Sequence, residues 1–275
     1  MPTYTFGSPS PTKLYVELGA GRVGVTATET DQTVVTVEGD QADEVTVEQE
    51  GDEIRVIAPR REFRLISFGN RGPQVTVSLP VDSQLRTKTG SADVTTHGTL
   101  RAAWAQTGSG DIALDPVTGP VTLASGSARM RVAGAGGPLQ AKTGSGDLTV
   151  GTAGDSVSFS TGSGDVRIDT AHGPINAKTG SGDVHVGEAH GDVTVTTGSG
   201  DVEIRCQRRG SVNTKGGSGD IRIGIPAGTP VWTDLSTGTG TIRSSVVSAG
   251  RPADGQDYVE LRGRRGTGDI ILEQL

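Results

Sequence analysis

Apolar and polar residues alternate along this chain in short stretches, and the alternation repeats at a fixed interval. The segment TGSGDV or a close variant recurs, and its Asp position falls every 18 residues from Asp93 to Asp201, with Arg129 replacing Asp once. Apolar residues stand at the first and third positions after each Asp, and again at the tenth and twelfth. Residues two apart lie on one face of a β-strand. Each repeat therefore predicts two short strands, joined by a Gly-Pro or Gly-Asp turn and followed by the TGSG turn.

Two short strands cannot bury their apolar face alone, so equivalent repeats must stack in parallel, about 4.8 Å apart. The stack buries a column of Val, Ile and Leu between two sheets. An antiparallel meander fits less well, because it would not place the same residue type at the same site in every unit. Since β-crossover-β connections are nearly always right-handed, we expect an all-β, right-handed parallel β-helix (a β-solenoid) of about ten 18-residue coils with β-rich caps.

The repeat divides the chain into three segments. Residues 81–243 carry it, with longer steps of 19, 21 and 28 residues near the end. Residues 1–80 alternate without the motif, and EGDE at 50–53 predicts a hairpin, so we interpret this segment as an N-terminal β-rich cap continuous with the solenoid. Residues 244–275 interrupt the register and are interpreted as a C-terminal cap. Both ends need caps because an unpaired sheet edge promotes aggregation.

The motif also supports a family resemblance. TGSGDV at 161–166, 179–184 and 197–202, with GPINAK-type strands and the preceding VTVSLPVDSQLRTKTGSADV, resembles the bacterial β-strand-repeat family of unknown function labelled putative adhesins. The resemblance covers roughly residues 10–275. It implies a pectate-lyase-like β-helix and provides no catalytic residues to carry over, while the adhesin label implies export.

Composition and charge narrow the class of protein. Aromatic residues make up 3% of the chain, so the core must consist of Val, Ile, Leu and Ala. The net charge of −7 is concentrated in residues 1–58, which contain 11 acidic and three basic residues. Nucleic-acid binding requires a basic stripe, so we expect none. The N-terminus lacks the pattern of a signal peptide, and no stretch is apolar enough to span a membrane, so we expect a cytoplasmic protein that does not bind membranes.

The Asp column is the first candidate for chemistry. Stacked carboxylates beside glycine turns suggest a calcium ladder of Asp147, Asp165, Asp183 and Asp201, as in β-roll repeats. Those repeats have a period of about nine residues, whereas Asp occurs here once in 18, and Arg129 interrupts the column. Asp in turns commonly accepts backbone N–H groups. We favour that structural role and predict no metal and no cofactor, with calcium as the alternative.

Three other polar columns follow the same period. The Ser and Thr columns single out no nucleophile, because equivalent hydroxyls repeat in every coil. His172 and His190 share a column and should stack on adjacent coils, where two imidazoles without a third ligand make a poor metal site. His185 belongs to an outward, mildly basic column that Glu203 interrupts, which indicates a solvated sheet face.

Catalysis is not expected, because equal repeats leave no room for long loops and single out no acid–base pair. Binding residues concentrate in irregular loops held by a scaffold. The first interaction candidates are therefore the Arg and Phe residues of a loop near residue 60, since both types are enriched at interfaces: Arg60, Arg61, Phe63, Arg64 and Phe68. The alternative is that the two Phe residues seal the first coil.

The second candidates are Ile270, Ile271 and Leu272, which are consecutive rather than alternating. A solvated edge strand has one apolar face, so the other face must also be covered. Either the segment 244–263 covers it, or a second copy of the chain does. We expect a homo-oligomer that buries this end.

These observations favour a non-catalytic β-solenoid scaffold or interaction protein with an unknown protein partner. The alternative is an adhesin-like or calcium- or carbohydrate-binding repeat protein that uses the Asp ladder. A β-helix enzyme is the third hypothesis.

The column assignment is tested by one pair of variants. Val184→Asp places an unpaired carboxylate between the sheets and should cost several kcal/mol of stability, whereas Asp183→Asn should cost less than about 2 kcal/mol. Thermal melting of both variants measures the difference, and equal melting temperatures would contradict the assignment.

Overall fold

The computed structural model describes residues 2–8, 10–39, 41–59, 72–246 and 258–275. Within these residues the chain is all-β apart from one short 3₁₀ helix, Ala42–Glu44. No helix in this part of the chain is long and apolar enough to cross a membrane. The chain packs as two compact units, residues 1–136 and 137–275.

The first unit forms parts of two sheets. In chain order its strands are β1 (Thr3–Gly7), β2 (Lys13–Leu18), β3 (Arg22–Thr28), β4 (Gln32–Gly39), β5 (Thr46–Glu50), β6 (Glu53–Ile57), β7 (Pro73–Pro80), β8 (Gln84–Thr89), β9 (Asp93–His97), β10 (Ala102–Thr107), β11 (Ile112–Leu114), β12 (Val121–Ser125) and β13 (Met130–Ala135). One sheet has the order β1-β4-β7-β3-β9-β11-β13, and the other has β12-β10-β8-β2-β6-β5. Successive strands alternate between the sheets from β8 onwards, so each coil supplies one strand to each sheet.

The second unit repeats this arrangement. Its strands are β14 (Leu139–Thr143), β15 (Leu148–Ala153), β16 (Val157–Thr161), β17 (Val166–Ala171), β18 (Ile175–Thr179), β19 (Val184–Ala189), β20 (Val193–Ser199), β21 (Val202–Gln207), β22 (Gly210–Ser218), β23 (Ile221–Ile225), β24 (Val231–Thr239), β25 (Ile242–Ser244), β26 (Val259–Thr267) and β27 (Ile270–Gln274). The sheet orders are β15-β17-β19-β21-β23-β27-β25 and β24-β26-β22-β20-β18-β16-β14. Neighbouring strands in both sheets are parallel, as the repeat predicts.

The core columns predicted from the repeat are confirmed. Val184 and Val186 of β19 and Val193 and Val195 of β20 are all buried, and the residues between them face outward. The register joins identical repeat positions, so that Val184 lies beside its counterparts in β17 and β21. The burial of alternate residues in every coil supplies most of the hydrophobic stabilisation of this fold.

Antiparallel pairing is found at the start of the first unit. Strands β1 and β4, β4 and β7, and β5 and β6 pair antiparallel. The β5–β6 hairpin turns between Glu50 and Glu53, which confirms the hairpin predicted from EGDE. Parallel stacking in register nevertheless begins at Lys13, because β2 pairs with β8 and β3 pairs with β9. The segment 1–80 thus contains coil strands as well as antiparallel strands.

The last two coils of the second unit stack in the reverse of their chain order. Strand β26 lies between β22 and β24, and β27 lies between β23 and β25. The sequence predicts that residues 270–272 form an edge strand covered by the segment 244–263 or by a second copy, and the edge position is wrong because β27 lies inside its sheet. Ile270 and Leu272 are buried core residues, and Ile271 faces outward and is half-buried. The outermost strands are instead β24 and β25.

Adjacent coils approach so closely at the first glycine of the TGSG turn that only glycine fits, whereas the second glycine is replaced by Ala92 and Ala128 in two coils. A Cβ added at Gly180 would overlap the carbonyl oxygen of Gly162 in the neighbouring coil. Gly19, by contrast, has no atom within 4 Å of such a Cβ. The glycine at the turn is thus required by the spacing between coils.

Gly180→Ala should therefore destabilise the protein by about 1–3 kcal/mol, because the coils must separate to admit the methyl group. Gly19→Ala is the matched control and should leave the melting temperature nearly unchanged. Calorimetry of the two variants tests this, and tolerance of alanine at both positions would mean that the coils are not packed this closely.

Candidate functional site

The carboxylates of the Asp column accept hydrogen bonds from the backbone of the turns. In the second unit each Asp Oδ1 accepts the backbone N–H of the next ladder residue at 2.8–2.9 Å, through Asp147, Asp165, Asp183, Asp201, Asp220, Asp269 and Thr241. The order of the last three residues follows the stacking of the coils rather than the chain. Hydrogen bonds from Thr241 hold the pKa of Asp269 below its ordinary value, with help from the charge of Arg243. The predicted turn-capping role is confirmed.

The Thr column also serves the turns. Thr179 Oγ1 accepts the N–H of Gly182 at 2.8 Å, and Thr161 accepts that of Gly164 at 3.0 Å. In the first unit Thr107 holds Gly110 in the same way at 3.0 Å. Among the described residues no group of three or more His, Cys, Asp and Glu side chains is placed to hold a metal ion.

The stacked histidines of the second unit lie beside a charged pair. The rings of His172 and His190 are 4.9 Å apart, which confirms the predicted stacking. Glu188 Oε1 lies 3.1 Å from His190 Nε2 and 2.6 Å from Arg208 Nε. The hydrogen bond from Arg208 lowers the pKa of Glu188. Burial raises the pKa of the half-buried Cys206 thiol, so this cysteine is a weak nucleophile at neutral pH.

The outer sheet face around His185 is a network of ion pairs. His185 Nδ1 lies 3.1 Å from Glu203 Oε2, and Arg205 Nε lies 3.9 Å from the other oxygen of Glu203. Arg222 Nε lies 3.6 Å from Glu273 Oε1 on the inserted strand β27. These contacts support the solvated sheet face predicted for this column.

The predicted interaction loop is not in the described part of the chain. Arg60, Arg61, Phe63, Arg64 and Phe68 all lie outside the described residues.

The outer face of the first unit carries an Arg–aromatic ladder, defined here as Arg55, Tyr15, Arg86 and Trp104. These residues are neighbours across β6, β2, β8 and β10. The Cζ atom of Arg86 lies 4.8 Å from the centroid of Trp104 and 6.0 Å from that of Tyr15, and Arg55 lies 5.6 Å from Tyr15. Tyr15 donates its hydroxyl proton to Glu17 Oε2 at 2.6 Å, which raises the pKa of Tyr15.

Part of this ladder could be predicted from the sequence. Arg86 and Trp104 are 18 residues apart, one repeat period, so the register already placed them side by side. Tyr15 and Arg55 precede the TGSGDV repeat, and their positions depend on how the first strands stack. No period in the sequence connects them to Arg86.

Comparison with known proteins identifies a family. The family model described as Toastrack DUF4097 matches residues 12–248. No curated protein is significantly similar to this chain.

Several solved structures are similar over nearly their whole length but at low identity. A "putative cell adhesion protein" from Clostridium sporogenes is 13% identical, covers 100% of this chain and 99% of its own, and has a TM-score of 0.23. A "putative adhesin" from Bacteroides fragilis is 13% identical, with coverages of 98% and 96% and a TM-score of 0.42. Another from Parabacteroides distasonis is 11% identical, with coverages of 100% and 96% and a TM-score of 0.41. The family match spans most of the chain, and this protein therefore belongs to the Toastrack DUF4097 family.

Proposed function

We propose that this protein is a non-catalytic scaffold that binds a protein partner through the Arg–aromatic ladder of its first unit. The observation that carries the proposal is a contrast between two kinds of surface residue. The Asp and Thr columns of the repeat are occupied by hydrogen bonds within the fold. The ladder, in contrast, presents Arg and aromatic side chains outward on a sheet face.

The ladder has the chemistry of a protein-binding surface. Arg, Tyr and Trp are enriched among the residues that dominate binding energy at interfaces. Arg86 is exposed, and the rings on both sides hold its guanidinium, so little side-chain freedom would be lost on binding. A cation–π contact at an exposed site is worth about 0.5–1 kcal/mol, which is enough to order the side chains without withdrawing their N–H donors. A partner offering carboxylates to Arg86 and an apolar surface to Trp104 would fit.

The finer features of the fold belong to the same proposal. We propose that the coils are right-handed and number about ten, since parallel crossover connections are almost always right-handed. We also propose that TGSGDV is the local unit that encodes the family fold here.

The cytoplasmic location stays a prediction from the sequence, and cell fractionation tests it.

Site-specific photo-crosslinking tests the binding surface. A photoreactive residue at Gln106, exposed beside Trp104 on the same strand, should give a discrete cross-linked partner in cells that express the full chain. Arg86→Ala or Trp104→Ala should reduce this adduct about tenfold or more. The melting temperature should fall by only a few degrees, because both side chains lie on the outer face and the lost contact is worth about 1 kcal/mol. Thr122→Ala, on the next strand of the same row, is the matched control and should keep the adduct.

The proposal would be contradicted if Gln106 gave no adduct, or if the ladder variants and the control gave the same yield. A second photoreactive position at Ser158, exposed on β16 of the second unit, reports nonspecific contacts and should remain unlinked.

Calcium titration separates this proposal from the Asp-ladder alternative. A ligand at 100 times its Kd stabilises the folded state by about 2.7 kcal/mol. We expect millimolar calcium to leave the melting temperature unchanged within about 1 °C, because each Asp Oδ1 is already occupied by a backbone N–H. A calcium-dependent rise that Asp165→Asn and Asp183→Asn abolish would support the alternative.

A further inference from the structure

The second unit ends in a coil whose apolar side chains are uncovered. Among the described residues, four large apolar side chains are exposed, and all lie in the last part of the chain: Trp232 (53%), Ile242 (46%), Tyr258 (49%) and Leu275 (60%). Trp232 and Ile242 belong to β24 and β25, the outermost strands of the two sheets. This end of the unit therefore exposes apolar surface on both of its sheets.

The exposed side chains include members of the core columns. The register places Val231 beside Val259 and Ile242 beside Ile270, and both inner residues are fully buried. Leu235 points into the same column, because a Cβ on Gly263 would lie 2.9 Å from Leu235 Cδ2. Val231 and Leu235 are only half-buried, and no further coil among the described residues covers them. The hydrophobic column thus continues to the outer face of β24.

The backbone of β24 has one free edge. Val259 N–H donates to Pro230 O, so the even-numbered residues of β24 direct their backbone groups to β26. Successive residues of a strand direct their backbone groups to opposite sides. The N–H and C=O groups of Thr233, Leu235 and Thr237 therefore point away from β26. β24 is nine residues long and contains a single charged residue, Asp234. It lacks the charges that usually protect an edge strand, unlike β5 of the first unit, which contains Glu48 and Glu50.

We propose that this edge pairs with the same edge of a second copy of the chain. The two β24 strands run antiparallel about a two-fold axis through Leu235. Leu235 then exchanges both backbone hydrogen bonds with Leu235 of the second copy, and Thr233 exchanges them with Thr237. All free backbone groups along the strand centre are satisfied, and the half-buried Leu235 is covered by Leu235 of the second copy.

Side-chain complementarity selects this register. With the axis at Leu235, Trp232 faces Gly238 of the second copy, where the missing side chain leaves room for the indole, and Asp234 faces Ser236. A shift that places the axis at Asp234 would set two carboxylates directly opposite each other, which is destabilising. The register through Leu235 also places residues 232–238 opposite one another, while the carbonyl of Thr239 remains bonded to the N–H of Gly268. Because the contact is two-fold, it closes as a dimer and does not propagate into fibres.

Disulfide trapping tests the register in the full-length protein. In a Cys206→Ala background, Leu235→Cys should form a covalent dimer under mild oxidation, because Cα atoms of a hydrogen-bonded antiparallel pair lie about 5.5 Å apart, within disulfide reach. Thr233→Cys is the matched control. Its counterpart is four residues away along the second copy, about 13 Å, so it should remain monomeric on a denaturing gel.

Sedimentation measurements from about 1 to about 100 µM test the association itself. We expect a concentration-dependent monomer–dimer equilibrium that Thr233→Pro abolishes at unchanged melting temperature, because that residue donates no hydrogen bond to β26. Leu235→Lys should also give a monomer, and Thr194→Lys, on the outer face of β20, should still dimerise.

A monomer over the whole concentration range would overturn the proposal, because the end coil would then be covered within one chain. Polymers that form without the Leu235→Cys cross-link would also overturn it, because the contact would then be head-to-tail.

Discussion

The structure depends on the stacking of identical repeat positions at the separation of neighbouring strands. In this arrangement each coil of the repeat packs against similar coils, so a residue must suit its neighbours in the column. Gly180 shows the constraint most clearly, because a single Cβ there would overlap the backbone of the preceding coil. The glycine content of the chain follows from this geometry rather than from a need for flexibility.

The same stacking determines the use of the polar residues. A turn that leaves one sheet and enters the other has backbone N–H groups that no strand can satisfy. Asp Oδ1 and Thr Oγ1 accept those hydrogens in coil after coil, as Asp165 does for Asp183 and Thr179 does for Gly182. The column of Asp carboxylates, which resembles a metal site in the sequence, therefore caps the turns. The proposed interaction surface consequently uses outward strand positions, such as those of Arg86 and Trp104, which do not cap the turns.

The outermost strands of the two units differ from the inner strands in pairing and in residue type. The first unit begins with antiparallel strands. Its outer strand β5 is acidic, so that edge is protected by charge, whereas β1, the outer strand of the other sheet, contains no charged residue. The second unit instead closes by inserting its last coil, so the strands that remain outermost, β24 and β25, keep core-type residues such as Leu235 and Ile242 on an open side. The open edge of β24 is therefore better suited to pairing than the charged edge of β5.

The sequence by itself determined the structure of the single coil. The 18-residue period establishes which residues are buried, which form turns and which neighbours touch, because stacked repeats have only one register that aligns all the columns. Val184 in the core, Asp183 at the turn and the His172–His190 stack all follow from it. Only the tertiary structure decided the order of the irregular coils. Asp269 stacks on Asp220 across 49 residues of chain, ahead of Thr241, and Tyr15 meets Arg86 through a comparable rearrangement. Apolar strands of similar pattern can occupy either place, so the choice depends on which arrangement fills the column and satisfies the edges, and local residue patterns do not encode that.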